Sequence, residues 1–307
     1  MKASMANPAA RERTVLLTGA SVGLGLAIAR LLMQEDHTHL ILTGRASSLD
    51  RFTDLGISEN RRLWLRALDV TDAEQCRFVV EEAEDKLGGV DVLINNAGVT
   101  YRTVAEYATE RELSHQMAVN YEGPMALAGL VLPGMRHRRH GRIIQISSAG
   151  GLVAMPTMGL YSASKFALEA ASEAMYYEVR PFGVRVSLIL PGFIHSPSYL
   201  QSIVGDSSRH ATEHADDPYH PHFRNMNRFI ERMMRLARAT PESVARRIAK
   251  TMNRKHPPLR VLASLDARLL WWFRRFAPHA LNIWLTYRML PGRKGWRGNG
   301  GGDESAL

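Results

Sequence analysis

The sequence predicts a single α/β domain built on a doubly wound parallel sheet, with a helical, basic C-terminal extension. Three observations predict it. Short apolar, β-branched-rich runs alternate with amphipathic stretches of helical period, the pattern of strands buried on both faces and joined by crossover helices. The first run leads through a glycine loop into a helix, an arrangement that sets backbone N–H groups and a helix N-terminus against a phosphate. Small and polar residues follow the later runs, where open α/β sheets hold their ligands.

Composition limits the class. The chain has 307 residues and is 45% hydrophobic, enough for one large domain or two small ones. Its one cysteine, Cys76, allows no internal disulfide and gives no argument for an oxidising compartment. Met1 to Arg13 lack the apolar core of a signal peptide. No uninterrupted apolar run of about 18 residues exists, so no ordinary membrane-spanning helix is expected. These facts fit a soluble, cytoplasmic protein.

The elements follow in order. Residues 14–18 form the first strand, and Gly19-Ala-Ser-Val-Gly23-Leu-Gly25 the loop after it. Glycines let the backbone close the turn and approach a pyrophosphate. Leu24, Ala27, Ile28, Leu31 and Leu32 then recur at helical spacing. The second strand, 39–43, ends in Gly44-Arg45, with no acid before Asp50. A basic residue there suits the 2′-phosphate of NADP, where an acid would suit the 2′-hydroxyl of NAD. A third strand at 63–68 ends in Asp69-Val70, and 72–87 reads as an acidic amphipathic helix. The fourth strand, 90–94, runs into Asn95-Asn96-Ala97-Gly98. Residues 110–135 read as one helix with Asn120 inside, ended by Pro133-Gly134. The fifth strand, 141–146, is followed by Ser147-Ser148, and the sixth, 184–190, by Pro191-Gly192.

Between these last two strands lies Tyr161-Ser-Ala-Ser-Lys165. Four residues apart on a helix, the tyrosine and lysine share a face. A free phenol has a pKa near ~10. A nearby ammonium favours the phenolate and would bring that pKa toward the working range of a general acid/base.

Together these residues resemble the short-chain dehydrogenase/reductase family, whose fold is Rossmann-type. Its Thr-Gly-x-x-x-Gly-x-Gly motif appears as Thr18 to Gly25, and its Asn-Asn-Ala-Gly motif as Asn95 to Gly98. Its asparagine matches Asn120 and its Tyr-x-x-x-Lys matches Tyr161 and Lys165. Its serine, thirteen residues before the tyrosine, selects Ser148 over Ser147, and its Pro-Gly is Pro191-Gly192. One position departs: many NADP-using members carry a basic residue where Val22 stands.

The resemblance implies hydride transfer between nicotinamide and a carbonyl or carbinol carbon. Tyr161 would move the proton, Lys165 would lower its pKa and hold the ribose, Ser148 would bind the substrate oxygen, and Asn120 would anchor a water that relays protons to Lys165. It sets Gly19, Ser21, Gly23, Leu24, Gly25, Arg45, Asp69, Val70, Asn96, Ala97, Gly98, Tyr161, Lys165, Pro191, Gly192 and Ile194 against the cofactor, with Asp69 and Val70 flanking the adenine. NADP(H) is expected over NAD(H), on the strength of Arg45.

The C-terminal third is where specificity is expected. Residues from about 196 to 239 read as a substrate lid. Of its His210, His214, His220 and His222 only the first two stand at i, i+4, and no cysteine joins them, so no metal site is expected. Residues 224–297 hold 18 Lys and Arg against 3 Asp and Glu, while the rest of the chain holds 21 against 27. Thr240 and Pro241 start a helix as N-cap and N1. Residues 265–297 interleave Leu265, Leu269, Trp271, Trp272, Phe276, Trp284 and Tyr287 with arginines, and Pro278 divides them into two helices. Such a stretch suits an anionic membrane interface, or it packs on the enzyme or in a homo-oligomer. Nucleic acid is not expected. The looser likeness of this region is to family members acting on steroids, retinoids and other lipids. Residues 1–13 and 298–307 read as flexible or disordered ends, leaving 14–264 as the catalytic domain.

The expectation is therefore an NADP(H)-dependent oxidoreductase of a lipophilic ketone, aldehyde or alcohol, cytoplasmic, and peripheral at the inner face of a membrane if the C-terminal extension meets lipid. Its rivals are the same chemistry on a soluble keto compound and a non-catalytic NADPH-sensing regulator. A sensor would need the glycine loop but not the acid/base.

Overall fold

A computed structural model describes residues 12–195 and 202–296. The flexible-end expectations at 1–11 and 298–307, and the first part of the expected lid, lie outside the described residues. The chain opens with β1 (Arg13–Leu17), α1 (Gly23–Leu32), β2 (Thr38–Gly44), the short α2 (Asp50–Asp54), β3 (Leu63–Ala67) and α3 (Ala73–Leu87). It continues through β4 (Val92–Asn95), α4 (Glu110–Met117), α5 (Gly123–Arg138), β5 (Gly141–Ile146), α6 (Gly159–Val179) and β6 (Val184–Leu190). Then come α7 (Asp206–Glu213), α8 (His220–Leu236), α9 (Pro241–Asn253), β7 (Arg260–Leu262), α10 (Leu265–Phe276) and α11 (His279–Met289).

The strands form one parallel sheet in the order β3-β2-β1-β4-β5-β6-β7. The period of two in β1 shows how the sheet is covered. Val15 and Leu17 point into a core with Ile28 and Leu32 of α1 and Val244 and Ile248 of α9. Leu16, between them, points to the other face, against Val79 and Val80 of α3 and Leu127 and Val131 of α5. Burying one such side chain is worth about 1.5–3 kcal/mol, so the two layers fix the register of every strand.

Local signals explain the helix starts. Asp72 caps α3, accepting hydrogen bonds from the backbone N–H groups of Glu74 and Gln75 at 2.9 and 3.0 Å. Thr240 and Ser243 form a capping box at α9, with Pro241 at the first position. Pro278 divides α10 from α11 as expected. The carboxamide of Asn282 holds the elbow, donating to the Ala277 carbonyl at 3.3 Å.

Three expectations change. The helix expected over 110–135 is interrupted by a turn of π-helix, Ala118–Glu122. Pro133 does not end α5, which runs to Arg138. Pro133 and Gly129, four residues earlier, both lie on the exposed face. The carbonyl freed by the missing proline N–H therefore meets water, while Leu127, Val131 and Met135 hold the helix to the sheet. A seventh strand, β7, also joins β6. It is three residues long and follows Pro257-Pro258, too short a signal to read as a strand.

Candidate active site

The strand order reverses between β1 and β4, and the chain stitches this switch point closely. The Thr18 hydroxyl oxygen accepts from the backbone N–H groups of Asn96 and Ala97, both at 3.0 Å. The Asn96 carboxamide donates to the carbonyls of Thr18 and Gly19, also at 3.0 Å. A Cβ on Gly25 would stand 2.0 Å from the Gly19 carbonyl oxygen and 2.6 Å from Asn96 Nδ2. Gly19 is left-handed at φ 65°, and its Cβ would lie 2.9 Å from Ala97 Cα. These glycines thus also let the loop pack on the turn after β4, a contact beyond the turn closure and pyrophosphate approach expected of them. Ser21 is buried and Leu24 packs against the core beside it.

The loop fits a dinucleotide phosphate. Val22, the N-cap of α1, makes no side-chain capping bond, and the first turn carries no acid. The N-terminal N–H groups of α1 therefore have no side-chain acceptor of their own to compete with an anion. Arg45 follows β2 on the exposed surface, and its side chain makes no ion pair among the described residues. Asp69 follows β3, its carboxylate accepting from the N–H and hydroxyl of Thr71 at 3.0 and 2.7 Å. Val70, expected beside the adenine, turns its side chain into the core near Cys76 and Leu127.

The four polar residues converge at the carboxyl ends of β4 and β5. Asn120 is fully buried in the π turn. Its carboxamide binds both backbone groups of Val99, accepting at 2.8 Å and donating at 2.9 Å. It also donates to Ser164 Oγ at 3.1 Å, and Ser164 Oγ donates to the Tyr161 carbonyl at 2.7 Å. A Cβ on Gly98 would be 3.3 Å from Asn120 Oδ1 and 4.0 Å from Lys165 Nζ, so this glycine lies between the two polar groups.

Lys165 is buried on α6 and donates to the Ile146 carbonyl at 2.8 Å. Burial lowers its pKa to about 8, opposed by Glu169 one turn along. Its ammonium lies 5.9 Å from the centre of the Tyr161 ring. Burial raises the Tyr161 phenol's pKa, and the neighbouring Ser148 hydroxyl opposes the rise. Loss of solvation, not the expected lowering by Lys165, is the largest influence on the phenol. Ser148 Oγ also accepts from the Gly150 N–H at 3.0 Å. Ser147 points elsewhere, toward Gly151.

Pro191 and Gly192 follow β6, with Ile194 packed against the core. The Pro191 carbonyl accepts from the Ala149 N–H at 2.7 Å, joining this loop to the Ser148 turn. Residues 202–236 bind the loop after β4. Ser208 donates to Thr103 at 2.9 Å, Tyr107 to Asp217 at 3.1 Å and Tyr219 to Glu106 at 2.6 Å. Thr157, between Ser148 and Tyr161, is left-handed at φ 63°. That strained conformation for a β-branched residue is held by Arg102 on its hydroxyl at 2.9 Å and Thr103 on its carbonyl at 3.1 Å. His210 and His214 stack with ring centres 4.1 Å apart, and His210 lies 3.4 Å from Asp217.

Sequence reasoning missed several supporting residues. Ser164 lies inside the Tyr161–Lys165 pattern, but its partner Asn120 is 44 residues away. Gln116, one turn before Asn120, is buried and donates to the Val99 carbonyl at 2.8 Å. Glu169 and Glu173 are spaced to share a face of α6, which could have drawn notice; both accept from Arg260 of β7, at 2.8 and 2.7 Å.

Comparison with known proteins agrees with this geometry. The model of the short chain dehydrogenase family matches residues 13–203. The chain is 36% identical over 285 residues to a 3-ketodihydrosphingosine reductase of Bacteroides thetaiotaomicron, covering 91% of this chain and 100% of that protein. It is 30% identical over 277 residues to dehydrogenase/reductase SDR family member 7B of Xenopus laevis, covering 86% and 78%. A solved short-chain dehydrogenase from Streptomyces avermitilis has a TM-score of 0.74 at 30% identity, covering 89% of this chain and 96% of that one. With the sheet order, the stitched switch point and the Tyr161–Lys165 helix in place, the chain belongs to the short-chain dehydrogenase/reductase family of oxidoreductases, whose fold binds a nicotinamide dinucleotide.

Proposed function

We propose that the protein is an NADP(H)-dependent reductase interconverting a lipophilic ketone, of the long-chain 3-keto type, and its alcohol. One observation carries the chemistry. The Tyr161 ring and the Ser148 hydroxyl meet at Gly150, whose Cβ would stand 3.0 Å from the ring and 3.4 Å from Ser148 Oγ, beside a buried Lys165 and Asn120. Bound nicotinamide supplies or accepts the hydride. Ser148 holds the substrate oxygen by its hydroxyl and fixes the approach of the carbonyl carbon. Tyr161 gives that oxygen its proton, and a phenol whose pKa is raised by burial is in the protonated form this requires. Lys165 restores the proton, with Asn120 holding the backbone around it. The loops at Gly19–Gly25 and Asn96–Gly98 take the pyrophosphate and ribose, and Arg45, exposed and without an ion-pair partner among the described residues, takes the 2′-phosphate.

Two observations favour a lipid substrate. The Bacteroides relative, matched over its whole length, is named for a long-chain keto lipid. The C-terminal helices also expose apolar surface: Leu269 is 62%, Phe276 68% and Met289 76% exposed. Basic side chains stand over the same rings, Arg288 4.8 Å from the centre of Trp284 and Arg293 5.5 Å from that of Tyr287. On this reading α10–α11 rests on an anionic membrane and residues 202–239 form the lid. No helix among the described residues is long and apolar enough to cross a membrane.

The deciding assay follows loss of NADPH absorbance with 3-keto long-chain bases in mixed micelles and with short soluble ketones. Faster turnover of the lipid ketones supports the proposal. A preference for the short ketones refutes the lipid assignment, and NADPH binding without turnover of any carbonyl or alcohol refutes the enzyme in favour of a sensor.

A further inference from the structure

The loop after β6 is held from outside the family-matched segment, which ends at residue 203. The Gly192 N–H donates to Ser264 Oγ at 2.8 Å, and the Phe193 N–H donates to Asp266 Oδ2 at 2.7 Å. Ser264 is the N-cap of α10, and Asp266 lies in its first turn. A Cβ on Gly192 would stand 2.0 Å from the Asp266 carboxylate, so a glycine is needed where that acid docks. The other side of the same peptide is tied to the catalytic turn, because the Pro191 carbonyl accepts from Ala149 next to Ser148. A peptide unit is planar. Binding both its carbonyl and its N–H therefore fixes its orientation between Ser148 and the head of α10.

We infer that Asp266, with Ser264, is a positioning residue for the reaction: the α10 head sets the Pro191–Ile194 loop, and through Ala149 the Ser148 turn, in the geometry that receives the nicotinamide end of the cofactor. This rests on the function proposed above. The alternative is that Asp266 only stabilises α10 as an acid in its first turn. That role depends on its charge, and it predicts a change in stability with no selective effect on one half of the cofactor.

The test measures kcat, NADPH dissociation and dissociation of adenosine 2′,5′-bisphosphate, which has the adenosine half without nicotinamide. Asp266→Ala should weaken NADPH and lower kcat, together by about ten- to a hundredfold, the loss expected for one hydrogen bond to a charged group. The adenosine bisphosphate should bind as in wild type. Asp266→Asn keeps an acceptor oxygen without the charge and should recover most of the loss. Gly192→Ala should be severe alone and add little on top of Asp266→Ala. If Asp266→Ala does not fold, Ser264→Gly carries the test, since glycine still suits an N-cap while losing the bond to Gly192; the same split is expected. Wild-type behaviour, equal weakening of both ligands, or an Asp266→Asn as impaired as Asp266→Ala overturns the inference. A wild-type protein that neither binds nor uses NADPH overturns the functional reading, and this inference with it.

Discussion

Burial sets the protonation of both side chains proposed to move the proton, keeping the Tyr161 phenol neutral and pulling Lys165 down to about 8. Tyr161→Phe keeps the ring and removes the proton. Since a general acid is worth about 10²–10⁴-fold, kcat should fall at least about a hundredfold with NADPH affinity largely kept; retention of a tenth of the wild-type rate, with chemistry limiting, would refute the role. Lys165 also makes a prediction about stability. Its pKa falls from 10.5 in a free side chain to about 8 in the fold. Between those values the unfolded chain binds more protons than the native one, so native stability rises with pH across that window and carries its full penalty below it. Each pKa unit is about 1.4 kcal/mol, making the whole effect on the order of a few kcal/mol. Urea unfolding of cofactor-free protein should show wild type gaining on Lys165→Met from about pH 8 to about pH 10; parallel curves would refute it. Arg45→Ala should weaken NADPH about ten- to a hundredfold through one lost charge-assisted bond and leave NADH nearly unchanged. Equal loss for both, or a wild-type preference for NADH, would sink the NADP assignment.

Elements made by neighbours in sequence were legible, and those made by distant partners were not. The strand, glycine loop and α1 are written within about twenty residues, so residue type and spacing disclose them. Gly25→Ala tests that unit: its Cβ would meet the Gly19 carbonyl at 2.0 Å. Binding of both NADPH and adenosine bisphosphate should be lost, and calorimetry showing either intact would mean the loop relaxes freely. The π turn at 118–122 was hidden because its cause is the carboxamide of Asn120 reaching Val99 and Ser164, and π turns often mark such sites. Strand β7 and the Asp266 bond to Phe193, which joins residues 73 positions apart, leave no local periodicity to read. Pro133 misled because exposure of the freed carbonyl is a tertiary fact. The identities of Asn120, Ser148, Tyr161 and Lys165 were legible from their family pattern, whereas the dominance of burial over charge at Tyr161 required the packed interior.

Across the whole molecule, basic charge is concentrated late in the chain, with 18 Lys and Arg against 3 acids over 224–297. The same region exposes Trp272 and Trp284. Attraction to an anionic surface is about 1 kcal/mol per basic residue near it and is screened by salt. Flotation with phosphatidylserine-containing vesicles should therefore show binding at low salt that weakens as salt rises. Trp272→Ser with Phe276→Ser and Trp284→Ser should abolish it without touching the Asp266 anchor. If the protein ignores such vesicles, or if these substitutions split an oligomer, the exposed face is a subunit interface.

The bonds from the α10 head to Gly192 and Phe193 tie this apolar surface to the Pro191–Ile194 loop proposed to face the nicotinamide. An enzyme adsorbed through that surface meets its substrate in two dimensions. Its velocity then follows the mole fraction of ketone in the bilayer rather than the amount per volume of suspension. Adding inert lipid of the same charge, with protein and ketone totals unchanged, dilutes the substrate within the sheet and slows turnover, while a short water-soluble ketone is reduced at an undiminished rate.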